Sequence, residues 1–161
     1  MSSLFKGAVV NRYLSYYHPL LKRAFRVPLL HVRLRTATAS LTTLGLVDSG
    51  ATNTFVPTDL AEILGLQIDP KKATPSIGAG GGFDTVIFNL TIEVLKAGNN
   101  IATFADMPVF VPVNPEAIPY TVLGRDSVFL KFDITFRERI QRTILRPAKA
   151  KIKLSRYERR Y

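Results

Sequence analysis

The sequence has no cysteine, no tryptophan, only two histidines and two methionines, and no long unbroken apolar run. Without cysteine there can be no disulfide, no thiol nucleophile and no thiolate-held metal. His18 and His31 stand apart in the sequence, so metal catalysis would rest on scattered carboxylates. A Ser-His-Asp site fares no better, because His31 alternates with Arg33 and Arg35 on an outward strand face and His18 precedes a proline. Spanning a bilayer takes about 18 to 20 apolar residues, and no run approaches that length. Lys6, Arg12, Lys22 and Arg23 interrupt the N-terminal stretch and spoil any leader pattern, so the chain reads as intracellular and cytoplasmic. A phosphate-cradling loop is also missing. After Gly78 and Gly80 the third glycine of a nucleotide-binding turn would fall at Phe83, and no Gly-Lys-[Ser/Thr] ending follows. Neither a cofactor nor a metal is expected.

What the 161 residues do contain is 47% apolar and 21% charged, enough for one soluble domain with a true core. The net charge of +10 is uneven: residues 1–35 carry +7, residues 36–145 carry −3 and residues 146–161 carry +6. A mildly acidic body thus lies between basic arms, which suit nucleic acid or an anionic membrane surface and equally suit a solubilising role. In the last stretch Lys149, Lys151, Lys153, Arg156, Arg159 and Arg160 are interleaved with Ile152, Leu154, Tyr157 and Tyr161.

Periodicity sets the elements. Val10, Leu14, Tyr17 and Leu21 stand at near-helical spacing in residues 1–26, with Pro19 as an interruption. From Pro28 onward the pattern alternates, with Leu30, Val32 and Leu34 on one face, and predicts a half-exposed strand. A polar turn over 36–40 leads into a second strand that ends at Asp48, and residues 54–56 read as a third, short one. Thr58 is the expected cap of a helix running to Leu64 and stopped by Gly65. Residues 74–95 read as a long hairpin with a glycine-rich tip, 98–100 as a second turn, 101–113 as extended, 126–131 as a short helix and 133–145 as a closing hairpin. Many short strands and few helices define a mainly β domain.

One residue in this pattern demands an explanation. Asp48 follows the apolar run Leu44-Gly45-Leu46-Val47 directly, and a carboxylate driven toward a core is costly unless it is paired, hydrogen-bonded or protonated. Ser49 offers a hydroxyl to orient that carboxylate, and Gly50 lets backbone N–H groups and a substrate come close. Asp-Ser-Gly is also ordinary turn chemistry, so the triplet decides nothing alone.

Three segments in order carry more weight. Leu46-Val47-Asp48-Ser49-Gly50-Ala51-Thr52, Ile77-Gly78-Ala79-Gly80-Gly81-Gly82-Phe83 and Val122-Leu123-Gly124-Arg125-Asp126 resemble the signature, flap tip and closing segment of the retropepsin-like aspartic proteases. The resemblance spans residues 27–147 and implies a single-domain acid-protease barrel with a flap hairpin and one or two short helices. Outside that span the charge pattern leaves a basic N-terminal extension over 1–26, which the apolar spacing reads as helical, and a basic tail over 148–161. By the same resemblance Asp48, Ser49 and Gly50 are catalytic, and Ala51, Thr52, Asn53 and residues 77–83 bind a peptide substrate. Gly124 and Arg125 support the site from behind. One chain supplies one aspartate, so the chemistry requires a homodimer. Two departures stand out: Thr52 occupies the position where retroviral members carry an acid that pairs with the arginine, and Gly80 stands where they carry an isoleucine. A non-catalytic dimerisation or peptide-binding module with the same fold, recruited by its basic arms, is the alternative.

Overall fold

The computed structural model describes residues 7–18, 21–78 and 80–148, and of His18 the backbone alone. The expectations for Ala79, for Pro19 as a helix interruption and for the tail from Lys149 lie outside the described residues.

Eleven strands and two short α-helices are described: β1 Val9–Arg12, β2 Leu14–His18, β3 Arg23–Val27, β4 Leu29–Arg35, β5 Ser40–Val47, α1 Thr58–Ile63, β6 Thr74–Gly78, β7 Gly81–Lys96, β8 Asn99–Pro112, β9 Thr121–Leu123, α2 Val128–Lys131, β10 Phe132–Arg137 and β11 Arg142–Pro147. The main sheet has the order β6-β7-β4-β5-β9, with β8 also paired to β7. All its pairings are antiparallel except β5 with β9. Strands β1, β11 and β10 form a second sheet and β2 with β3 a separate hairpin.

Alternation in β4 does what its pattern promised. Leu30, Val32 and Leu34 are buried in the core, and Arg33 and Arg35 face the other way. There both arginines reach Glu93 of β7, at 3.0 and 2.7 Å. Two cations offset the cost of a carboxylate that would otherwise sit buried and alone. The core continues through Val47, Val56, Leu90, Ile92, Val94, Val109, Val111, Leu123 and Leu145, so both sheets contribute to one apolar interior.

The helical reading of the first 26 residues is overturned for the part described. Those residues form strands β1, β2 and β3, and the spacing that suggested a helix falls on outward positions: Val10, Tyr17 and Leu21 are 46%, 60% and 57% exposed. The residues that bury are Val9 and Tyr13, and β1 is captured by pairing with β11. Tertiary pairing wins because a short helix gains little in isolation and β-branched and aromatic residues fit a pleated surface. Two smaller expectations also shift. Thr58 does not cap α1; it is the first helical residue, after Pro57, and its hydroxyl donates to the Pro112 carbonyl at 2.7 Å. The turn expected over 98–100 is centred on Ala97 and Gly98, with φ of 50° and 80°, and Asn99 already pairs with Lys96. Positive φ at both central residues is what a twisted two-residue hairpin requires.

Gly65 does stop α1 as expected. It takes φ +77°, its N–H donates to the Glu62 carbonyl, and the Leu66 N–H reaches back to Ala61.

Candidate active site

The parallel pairing of β5 with β9 positions everything that follows. Gly45 sits beneath Leu123, whose side chain would lie 2.8 Å from any Cβ at that position, so the two strands can lie close at their C-terminal ends. Chain segments leaving those ends therefore meet. Asp48 follows β5 and donates its N–H to the Leu123 carbonyl at 3.2 Å, and Gly124 follows β9.

Asp48 is half-buried at the rim of the core. Its Oδ1 accepts the Gly50 N–H at 2.8 Å, closing a turn in which the acid is held by backbone two residues on. Ser49, expected to orient the carboxylate through its hydroxyl, is exposed and makes no hydrogen bond to it among the described residues. The nearer backbone donor has taken that role, and a Cβ on Gly50 would come within 3.2 Å of the same oxygen.

Beyond Gly50 the loop is laced to the segment after β9. Arg125 N–H donates to Ala51 O at 3.0 Å, Asp126 N–H to Thr52 O at 3.1 Å, and Phe55 and Val122 exchange N–H···O bonds of 2.9 and 3.0 Å. The Arg125 guanidinium donates to Thr52 Oγ1 at 2.9 Å. Thr52 thus supplies a neutral acceptor to the arginine at the position where an acid was missed. Gly124 has no substitute here, since an added Cβ would lie 2.2 Å from Asn53 O.

Behind the loop lies a network for which no local sequence signal exists. Asp126 accepts the Thr54 N–H at 3.1 Å on Oδ2, while its Oδ1 is 2.6 Å from Thr54 Oγ1. Thr54 Oγ1 is also 2.8 Å from Ser127 Oγ and accepts the Gly124 N–H at 3.2 Å. Burial pushes the Asp126 carboxyl up, against the hydrogen bonds from Thr54.

The β6–β7 hairpin reaches over the same region. Gly78 pairs with Gly81 next to its tip, Ile77 is 88% exposed, and the Phe83 ring lies 5.9 Å from that of Phe55. Between hairpin and loop is a cleft of about 560 Å³ lined by Asp48, Gly50, Ala51, Thr52, Asn53, Ile77, Gly78 and Phe83 among the expected residues. Ser49, Gly80, Gly81 and Gly82 do not line it, and Gly124 and Arg125 stand behind it. Phe55, Ile118, Tyr120 and Val122 complete the wall and were not foreseen. The Tyr120 phenol is pushed up chiefly by burial, with added repulsion from Tyr16 and Asp48. Its ring meets Tyr16 edge to face at 6.0 Å. Among the described residues the cleft offers one carboxylate, that of Asp48, and apolar walls.

A fold with a carboxylate turn beneath a glycine-tipped hairpin is that of the retropepsin-like aspartic proteases. A family model described as aspartyl protease matches residues 35–127, more than half of the chain, and the protein belongs to that family. No curated protein matches. Among solved structures, a retropepsin-like aspartic protease from Rickettsia conorii is similar at 13% identity with a TM-score of 0.55, covering 86% of this chain and 98% of that one. The EIAV protease in complex with the inhibitor HBY-793 is 23% identical with a TM-score of 0.42, over 65% of this chain and 86% of its own. The retroviral protease-like domain of Ddi1 from Leishmania major is 18% identical with a TM-score of 0.42, over 80% and 100%.

Proposed function

We propose that this protein is an aspartic endopeptidase whose working unit is a homodimer, with Asp48 of each copy forming one catalytic pair. The observation that carries this reading is the Asp48 carboxylate, held by the Gly50 N–H at the floor of a cleft that the β6–β7 hairpin overhangs. Two such carboxylates about 4 Å apart, at an effective dielectric of about 20, repel by about 4 kcal/mol when both are charged, so they share one proton. The charged member takes a proton from a bridging water and the neutral one donates to the substrate carbonyl oxygen, and the roles reverse as the tetrahedral intermediate breaks down. This is the division of labour known for aspartic proteases generally.

Substrate backbone would add as a strand between the hairpin, acting as flap, and residues 51–53. Ser49, exposed and next to the axis the dyad demands, is free to serve the second copy rather than its own carboxylate. We assign the protease domain to residues 27–147 between the extension 1–26 and the tail 148–161, with β1 of the extension docked onto β11. The test is Asp48→Asn, which removes the ionisable group at constant shape. Peptide cleavage and its block by a pepstatin-type inhibitor should vanish while fold and mass are retained; retained cleavage would end the assignment.

A second reading is favoured by one specific feature. Arg12, Arg142 and Arg137 are direct cross-strand partners in β1, β11 and β10, so three like charges share one row of the smaller sheet. Like charges directly opposite are unfavourable, and no ion pair relieves these three among the described residues. Such a row, in a chain whose last residues are also basic in sequence, suits recruitment to nucleic acid or an anionic membrane, with or without cleavage. Binding to a labelled oligonucleotide or to phosphatidylserine vesicles that weakens steeply with salt, and is lost in Arg12→Glu/Arg142→Glu, would support it.

A further inference from the structure

The network behind the active loop contains more oxygen contacts than it has hydroxyl hydrogens. Asp126 Oδ1 to Thr54 Oγ1 is 2.6 Å, Thr54 Oγ1 to Ser127 Oγ is 2.8 Å, and Ser127 Oγ to the Gly124 carbonyl is 3.0 Å. Each is a hydrogen-bond distance, yet Thr54 and Ser127 supply one hydrogen apiece. Both residues are 0% exposed, so a contact without a hydrogen would press lone pair against lone pair where water has no access.

We infer that Asp126 is held as the neutral acid and supplies the third hydrogen, making it a protonation-dependent positioning residue that locks the active loop onto the segment after β9. The order of donation is then complete. Asp126 O–H donates to Thr54 Oγ1, Thr54 O–H to Ser127 Oγ, and Ser127 O–H to Gly124 O, while the Thr54 N–H reaches Asp126 Oδ2 and the Gly124 N–H reaches Thr54 Oγ1. Every polar atom of the lock has its partner.

Among the described residues no ion pair to Asp126 disturbs this arrangement. Arg125, next in the chain, is turned to Thr52 Oγ1. Lys131 at the end of α2 donates to the Thr103 carbonyl and stands over the Phe104 ring. The charge carried by the active loop itself is Asp48, whose carboxylate is engaged by the Gly50 N–H. Burial raises the acid's affinity for its proton, in the same direction as the hydrogen count.

The sign of the pH effect follows. A carboxyl that holds its proton more tightly when folded adds stability that is complete below about pH 3.9, the ordinary aspartate value, and drains away as pH rises through the raised folded value. Residues 51–53, on the cleft side of the lock, would thus be held most firmly in acid. Any consequence of that firmness for catalysis rests on the reading of Asp48 as catalytic; the lock itself does not.

Asp126→Asn tests it, because the amide keeps an N–H donor where the acid has its O–H and cannot lose it. Unfolding by urea from about pH 3.5 to about pH 8 should show the two proteins equal at the acid end, below the ordinary aspartate value, and the asparagine variant the more stable as pH rises through the raised folded value. A variant weaker by a constant margin over that range would overturn the inference, since an amide donor would then be facing the Thr54 hydroxyl hydrogen. Carbon-13 resonance of the Asp126 carboxyl gives a second readout on the unaltered protein. A neutral-acid shift persisting above the ordinary aspartate titration range is expected, and a carboxylate shift there contradicts the inference. Ser127→Ala leaves one contact and one hydroxyl hydrogen, so the Asp126 titration midpoint should fall; an unmoved midpoint also counts against it. If Asp48→Asn shows the chain to be no protease, these three measurements stand unaffected, so the two failures are distinguishable.

Discussion

Substitution of Gly124 by alanine is the sharpest probe of how the active loop is held. An added Cβ would lie 2.2 Å from Asn53 O, 2.4 Å from Asn53 C and 3.0 Å from Asn53 N, all of them backbone atoms that no rotamer change can move. Opening the closest contact to the ordinary 3.4 Å means a separation of about 1.2 Å between the loop and the segment after β9. The hydrogen bonds from Arg125 N–H to Ala51 O and Asp126 N–H to Thr52 O, 3.0 and 3.1 Å long, would not survive that displacement. Two lost bonds at about 1 kcal/mol each, with about 1 to 2 kcal/mol of residual overpacking, sum to about 3 to 4 kcal/mol. For a chain of this size that lowers the thermal midpoint by about 6 to 16 °C. Gly80→Ala is the control, since nothing lies within 4 Å of its added Cβ, and it should stay within about 0.5 kcal/mol of the parent. Both are measured by thermal and urea unfolding followed by circular dichroism. If Gly124→Ala proves as mild as Gly80→Ala, the loop is not packed against Gly124 as described and the reasoning fails.

The buried Glu93 should show an asymmetry. Glu93→Ala removes a carboxylate and leaves two arginines that are 39% and 50% exposed, a loss of about 1 to 2 kcal/mol after allowance for solvent screening. Arg33→Met/Arg35→Met leaves the carboxylate buried and unpaired and should cost more, about 3 kcal/mol in urea unfolding; the reverse order would contradict the burial of Glu93. In the hairpin, Phe83→Ala deletes the ring contact with Phe55, a pair worth about 0.5 to 1.5 kcal/mol, so KM for a peptide substrate should rise about 2- to 10-fold with kcat little changed. A fall in kcat with unchanged KM would mean that the hairpin acts in the chemical step instead.

How far the sequence disclosed this depended on the range of the interaction. Strand β4, the run into Asp48 and the glycine-tipped hairpin were legible because period-two alternation and glycine are local signals. The strands of the N-terminal stretch were not, because Val10, Tyr17 and Leu21 imitate a helical stripe while the pairing of β1 with β11 is set 130 or more residues away. Ser49 next to Asp48 suggested a hydroxyl partner, and only geometry could tell that the Gly50 N–H reaches the oxygen first. Thr54 and Asp126 are 72 positions apart, and Tyr120 sits in a proline-bearing stretch with no periodicity, so neither could be joined to Asp48 before the fold was known. The neutral partner of Arg125 was open for the same reason: the missing acid was visible, whereas the hydroxyl of Thr52 turning toward the guanidinium was not.

The central claim is that one active site needs Asp48 from two copies, and subunit mixing tests it most directly. Wild-type protein is exchanged with increasing Asp48→Asn protein at fixed total concentration, and peptide cleavage is followed after the subunits have re-equilibrated. A shared pair requires the rate to follow the square of the wild-type fraction, so an equal mixture retains about a quarter of the original activity. A rate that falls only in proportion to the wild-type fraction, with about half retained in the equal mixture, would mean that each chain works alone, and the account would be wrong.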